Sequence, residues 1–301
     1  MKLGDLHGSF PPLVTPFRDG EVDYDAYAAL VERQIAGGSH GIVVNGTTAE
    51  PSTLTLDERA RLLEVAIAAG RRRIPIVAAT GSQSLAETLD LSTRAERAGA
   101  DALLVVTPYY IRPPQRGLVA YYREIARRTE LPLMVYHIPG RTAVSVTVET
   151  LAAMRETIPQ FVGMKHAVAD LGFVTAALTK LGRDFKIFAG LEELSFPMLA
   201  VGACGLMNAV GNLAPDRVAA LCDRVDAGDL AGARELHFAL AELNAAVFYD
   251  TNPIPIKYMM VRLGLLERNE HRLPMVPPAP ELERRLDAVL DRSGLLAASA
   301  A

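Results

Sequence analysis

The 301-residue sequence predicts an α/β fold of the (β/α)8 TIM-barrel class with a C-terminal helical extension, and three observations predict it. Eight short apolar runs are each followed by a stretch with helical spacing of apolar residues, and such strict alternation argues for parallel strands joined by right-handed crossovers. The length fits one barrel as well as it fits two average domains. No glycine-rich dinucleotide fingerprint follows any strand, which disfavours the alternative of an open, doubly wound sheet.

Pro12-Leu13-Val14-Thr15 is the expected first strand, and Asp23 is placed to cap a helix with Tyr27, Leu30, Val31 and Ile35 on its apolar face, stopped by Gly37-Gly38. The second strand, Gly41 to Val44, runs into Asn45-Gly46-Thr47-Thr48-Ala49-Glu50. Thr55-Leu56-Asp57-Glu58 and Ser84-Leu85-Ala86-Glu87 both have capping-box form, on either side of a third strand at Ile74 to Ala78. Strands follow at Ala102 to Val106, Leu133 to Tyr136, Phe161 to Ala167, Lys186 to Phe188 and Gly205 to Met207, each succeeded by a helical pattern. The barrel is assigned to residues 1–228. Residues 229–301 read as three further helices, near Leu230 to Phe248, Ile256 to Leu265 and Glu281 to Leu290, punctuated by prolines. No low-complexity linker separates them, so they are expected to pack on the barrel.

Composition excludes several classes. A net charge of -4 and a pI near 5.9 give no footprint for nucleic acid or anionic lipid. The cluster Arg71-Arg72-Arg73 follows a helix end at Gly70, where cations complement the helix dipole. Cys204 and Cys222 make no disulfide framework, and the six histidines contain no ligand-spaced pair, so neither metal nor other cofactor is expected. The start has no apolar signal region and no apolar run is of membrane length, which points to the cytoplasm and no membrane.

Chemistry gathers around Phe161-Val162-Gly163-Met164-Lys165-His166-Ala167, an apolar run ending on a lysine. Alternation places Phe161, Gly163 and Lys165 on one face, with Gly163 leaving room beside the amine. A confined apolar setting disfavours the cation, and a neutral lysine attacks carbonyls to form Schiff bases. The plain alternative is a lysine that snorkels to solvent. Barrel enzymes carry their catalytic groups at the C-terminal ends of strands. There this chain puts Thr47 and Thr48 after the second strand, Tyr109 and Tyr110 after the fourth, Tyr136 at the end of the fifth, and Lys165 at the end of the sixth. Each has a structural alternative in turn formation or aromatic packing, as Arg141 does in loop solvation. Their convergence on one rim favours a site.

The segments Gly46-Thr47-Thr48-Ala49-Glu50, Val106 to Tyr110, Tyr136 to Thr142, Gly163-Met164-Lys165 and Asn252 to Lys257 resemble the dihydrodipicolinate synthase and N-acetylneuraminate lyase family of Schiff-base class I aldolases, over nearly the whole chain. The resemblance implies a homo-oligomer, a dimer of dimers, acting on pyruvate and a small aldehyde acid. It implies Lys165 as the Schiff-base lysine, Tyr136 as proton shuttle, and Thr47 with Tyr110 as relay, Tyr110 being lent across a dimer interface. Thr47 and Thr48 would hold the pyruvate carboxylate. Arg141, Gly190 and Met207 are counted with the substrate-binding residues, Arg141 because a guanidinium grips a carboxylate bidentately.

Several positions depart from the family pattern. Ala49 replaces the usual glycine and His166 a glutamate common in the synthases. Leu191 follows Gly190 where sugar-acid lyases carry an acidic residue, although Glu192 comes next, and sialic acid cleavage is disfavoured. Asp250 to Met259 and Asn269 to Met275 are similar to a branch of 4-hydroxy-2-oxo-dicarboxylate aldolases. Two reactions therefore stay open: dihydrodipicolinate synthesis from aspartate semialdehyde, and cleavage of a 4-hydroxy-2-oxo dicarboxylate into pyruvate and a semialdehyde. A non-catalytic small-acid sensor on the same barrel is the reading from a different class.

Overall fold

The computed structural model describes residues 6–296. One parallel sheet contains β1 (Gly8–Ser9), β2 (Ile42–Val44), β3 (Ile76–Ala79), β4 (Ala102–Val106), β5 (Leu133–His137), β6 (Phe161–His166), β7 (Lys186–Ala189) and β8 (Gly205–Leu206). Consecutive strands from β2 to β8 are neighbours, and β8 pairs with β1. The remaining seam is closed by Val43 N–H donating to Pro11 O at 3.0 Å and Leu13 N–H donating to Val43 O at 3.1 Å. The eight strands thus form a nearly closed barrel, as the alternation predicts.

Around it lie α1 (Tyr24–Ala36), α2 (Leu56–Gly70), α3 (Leu85–Ala98), α4 (Gln115–Ala126), α5 (Val148–Thr157), α6 (Leu171–Leu181), α7 (Ser195–Ala200) and α8 (Pro215–Asp226). The extension adds α9 (Leu230–Ala246), α10 (Ile254–Arg262) and α11 (Pro280–Ser293). Among the described residues, no helix is long and apolar enough to cross a membrane.

Sequence chemistry sets most of these boundaries. Asp23 accepts from Ala26 N at the start of α1, and Thr55 with Glu58 forms the complete capping box of α2. Ser84 accepts from Glu87 N, but the expected second box is only half made, because the Glu87 carboxylate lies 3.6 Å from the Arg59 guanidinium instead. The first strand is also misplaced by sequence. Prolines have no N–H to give a ladder, and the pairing with β8 is made by Gly8 and Phe10, whose N–H groups donate to Cys204 O and Leu206 O at 2.8 Å. Pro11 to Leu13 instead bridge the seam.

Two apolar layers sandwich the barrel wall. Phe10, Val43, Val77, Leu104, Met134 and Phe188 fill the interior. A larger outer layer runs between sheet and helices and continues without a break into Leu240, Leu243, Ile256, Met259, Leu286 and Leu290 of the extension. β6 departs from simple alternation. Leu133 pairs with Phe161 but Met134 pairs with Gly163, leaving Val162 as one extra residue. Phe161 and Met164 therefore pack outward and Val162 inward, and Lys165 lies opposite Tyr136. The expectation that Phe161 shares a face with Lys165 is corrected by this bulge.

Candidate active site

A pocket with about 390 Å³ of empty space, mouth included, opens where the strands end. Thr47, Thr48, Tyr136, Arg141, Lys165, Gly190 and Met207 all line it. Tyr110 does not line it. It follows β4 with φ +71° and is 86 % exposed.

Lys165 and Tyr136 are each only 6 % exposed, and the lysine Nζ sits 4.6 Å from the centre of the Tyr136 ring. No carboxylate of the described residues lies within ion-pair distance of that amine. The room beside it does not come from Gly163, where a side chain would strike Lys186 O of β7 at 2.1 Å; that glycine serves close strand packing. Gly190 supplies the room. A Cβ there would lie 2.7 Å from Lys165 Cε and 3.2 Å from its Cγ. The Tyr136 hydroxyl accepts from Thr47 Oγ1 at 3.5 Å, a long contact that joins β5 to the turn after β2.

That turn is a single 3-10 segment, Thr47–Ala49, and Glu50 follows it in the left-handed region with φ +56°. Thr48 is buried, and its Oγ1 accepts from Asn252 Nδ2 at 3.0 Å, across 204 residues of chain. Because that hydroxyl is accepting, its own hydrogen is free to be donated into the pocket. Glu50 anchors the turn from below. Its Oε1 accepts from Lys257 Nζ at 2.9 Å and its Oε2 lies 3.4 Å from His271 Nδ1. The same Nζ also donates to Glu270 O and lies 4.4 Å from the centre of the Phe17 ring.

His166 does not enter the pocket. It lies behind the wall, its Nδ1 3.2 Å from His137 Nδ1 and its ring stacked on Phe173 at 4.7 Å. His137 Nε2 accepts from Val146 N, so in the neutral pair His137 Nδ1 carries the hydrogen and donates it to His166. Burial pushes the pKa of both imidazoles down to about 4, aided at His137 by its neighbour and opposed at His166 by Asp170.

Several lining residues were not singled out as site residues in the sequence, among them Phe248, Asn252 and Glu192. Glu192 is the pocket's carboxylate. It is 2 % exposed, and its Oε1 accepts from the backbone N–H groups of Ala209 and Val210 at 2.6 and 3.4 Å. Burial pushes its carboxyl up to about 7, against the pull of Lys165 and of those amides. Its place two residues past Gly190 was the only signal in the sequence. Burial and pairing depend on the folded surroundings, so that signal said nothing of its state.

Comparison with known proteins agrees with the fold. The model of the Dihydrodipicolinate synthetase family matches residues 5–293. A Thermus thermophilus protein named 4-hydroxy-tetrahydrodipicolinate synthase is 47 % identical over 292 residues, 97 % of each chain. One of the same name from Nitratidesulfovibrio vulgaris is 40 % identical over 97 % of this chain and 99 % of its own. The crystal structure of dihydrodipicolinate synthase from Aquifex aeolicus superposes with a TM-score of 0.94 at 36 % identity, covering 96 % of this chain and 98 % of that one. A second solved structure, described as the first monomeric dihydrodipicolinate synthase variant, has the same TM-score and identity over 98 % and 99 % of the two chains.

Proposed function

Because this chain belongs to the dihydrodipicolinate synthetase family, whose relatives are enzymes of the Schiff-base lyase class, we propose that it joins pyruvate to an acid-bearing aldehyde through an imine on Lys165. The observation that carries this reading is the inward, nearly solvent-free Lys165 above the Tyr136 ring, given room by Gly190. Names of the relatives favour the 4-hydroxy-tetrahydrodipicolinate synthase reaction, with aspartate semialdehyde as the aldehyde. The dicarboxylate aldolase reading gains no support from them.

The neutral amine of Lys165 attacks the keto carbon of pyruvate, and the carbinolamine loses water to give the imine. Tyr136 stands next to the amine and moves protons onto the departing hydroxyl, with Thr47 as its neighbour in the relay. Loss of a methyl proton gives an enamine whose carbon attacks the aldehyde carbon. One carbon–carbon bond forms and the aldehyde oxygen takes up a proton; a water then adds to the imine carbon, and the carbinolamine expels the Lys165 amine to leave the keto product. Thr48, preset by Asn252, supplies a hydroxyl donor for the pyruvate carboxylate, and Thr47, whose hydroxyl turns to Tyr136, lines the same side of the pocket. Gly190 and Met207 bound the same space. Tyr110 serves as relay only by reaching the pocket of a second copy, so its role goes with an assembly of at least two chains.

Borohydride added with pyruvate is expected to leave a reduced three-carbon adduct on Lys165, read by intact mass and peptide mapping. An unchanged mass, or labelling of the Lys165→Ala variant, would overturn the imine mechanism. The same null result would favour the sensor reading if pyruvate still bound.

A further inference from the structure

The imine chemistry leaves two protons without a carrier: the one lost from the pyruvyl methyl as the enamine forms, and the one gained by the aldehyde oxygen as the carbon–carbon bond forms. Lys165 pairs with Tyr136 of β5 on one side and with Phe188 of β7 on the other. Glu192 follows just past the end of β7, so it stands on the opposite flank of the lysine from Tyr136. The side chain is held still. Its Oε1 accepts from the Ala209 and Val210 amides, and its main-chain carbonyl accepts from Ser195 Oγ at 2.7 Å and from Asn244 Nδ2 at 3.3 Å. Every one of these bonds leaves Oε2 out. That oxygen is buried, has no hydrogen-bond partner among the described residues, and belongs to a side chain that lines the pocket. The carboxyl feels the charge of Lys165, yet no ion pair joins the two, and the pocket space between them is where the carbons of a pyruvyl imine would lie.

We infer that Glu192 is a catalytic acid–base residue, whose Oε2 takes a proton from the methyl carbon of the Lys165 imine and hands it to the aldehyde oxygen. This deepens the proposed function and rests on it. In the first step the electron pair of the methyl C–H bond becomes the carbon–carbon double bond of the enamine, the C=N pair moves to the protonated imine nitrogen, and the carboxylate becomes a carboxylic acid. In the second, the enamine pair forms the bond to the aldehyde carbon, the carbonyl pair moves to the aldehyde oxygen, and that oxygen takes the proton from Glu192. Carboxylate and protonated imine are both restored, so the exchange consumes no outside acid or base. Burial suits the role: it pushes the carboxyl up to about 7, so both forms are populated near neutral pH, where a group that first takes and then gives a proton works best. A purely structural role accounts for less. A neutral amide would serve Ala209 N–H as well, without the cost of a buried carboxylate oxygen left unpaired.

The experiment follows the methyl proton itself, by proton NMR of pyruvate incubated with the protein in deuterium oxide and no aldehyde. Borohydride trapping of pyruvate on the wild-type protein comes first, and its failure would sink the proposed function rather than the assignment of Glu192. Where trapping succeeds, the wild type is expected to replace the methyl hydrogens by deuterium faster than a protein-free blank; trapping without any exchange overturns the inference. Glu192→Gln keeps the shape and an acceptor for Ala209 N–H. It is expected to trap pyruvate on Lys165 as fully as the wild type and to exchange the methyl hydrogens roughly a hundredfold more slowly, the lower end of what a positioned acid–base group contributes. Exchange at the wild-type rate overturns the inference. Equal losses in trapping and exchange also overturn it, by making Glu192 a structural residue. If the variant does not fold, the wild-type pH profile decides: at saturating pyruvate, corrected for the imine trapped at each pH, exchange is expected to rise through one ionisation at about pH 7, and a flat profile overturns the inference.

Discussion

Arg141 stands on the short helix Pro139–Thr142 with its guanidinium exposed at the pocket rim. A cation without an internal partner is available to a ligand carboxylate without first breaking an ion pair. Arg141→Ala is expected to raise the aldehyde KM and to lower its kcat/KM by about 2 kcal/mol, the range of a charge-assisted hydrogen bond. Borohydride trapping of pyruvate would distinguish the cause, since comparable losses in trapping and in the aldehyde step would move Arg141 from recognition to scaffold. Residues of this kind were legible from sequence because their chemistry is printed in their type: a lysine ending an apolar run, a tyrosine ending the strand before it, an arginine after Pro139-Gly140. Asn252 and Glu192 were not. An asparagine before a proline reads as a turn, and only the fold brings it 3.0 Å from Thr48.

At the ends of β5 and β6, the paired His137 and His166 face away from the pocket, behind Tyr136 and Lys165. Their lowered pKa values make this region acid-sensitive. In the unfolded chain each takes up a proton near pH 6.5, while the folded chain resists until about pH 4, so the unfolded state binds more protons between those limits. Stability is therefore present above pH 6.5 and is lost as pH falls toward 4, by an amount on the order of a few kcal/mol for the pair. Urea midpoints measured at pH 7.5 and pH 5 would check this, and His166→Asn should shrink the difference between them. A stability independent of pH across that interval would contradict the buried neutral pair. Neither histidine announced this in the sequence, where His166 only looked like an unusual neighbour for the lysine. Helix caps were more readable, because Asp23 and Thr55 bond within their own first turn and need nothing distant. The half-made cap at Ser84 shows the limit of that locality, since Arg59 from α2 competes for Glu87.

Across the whole molecule, the extension is tied to the barrel rim through a fully buried ion pair, with Lys257 and Glu50 side chains at 0 % and 1 % exposure. Lys257→Met would strand the Glu50 carboxylate and is expected to cost about 3–5 kcal/mol in urea unfolding, whereas adding Glu50→Gln to it should recover part of that loss. Pyruvate KM should rise alongside, because Glu50 directly follows the turn that carries Thr47 and Thr48. Additive losses in the double variant would show that the two groups are not coupled. Alternating strands and helices made the architecture legible, since eight local patterns have one compact closure. Links spanning 200 residues, such as Asn252 to Thr48 and Lys257 to Glu50, left no local trace. The bulge in β6 was equally silent, and it has a consequence for how the barrel wall is read. A strand keeps a binary count, inside or outside, and one surplus residue reverses the parity of everything after it. With Val162 inserted, the odd member of the count is absorbed before Gly163, and the lysine emerges on the inner side while Met164 takes the outer one. Without it, holding the outward Phe161 fixed, the same letters would turn the amine toward the helices and a thioether toward the pocket. The presence of a nucleophile in this barrel is therefore decided by the length of the strand before the lysine as much as by the lysine itself.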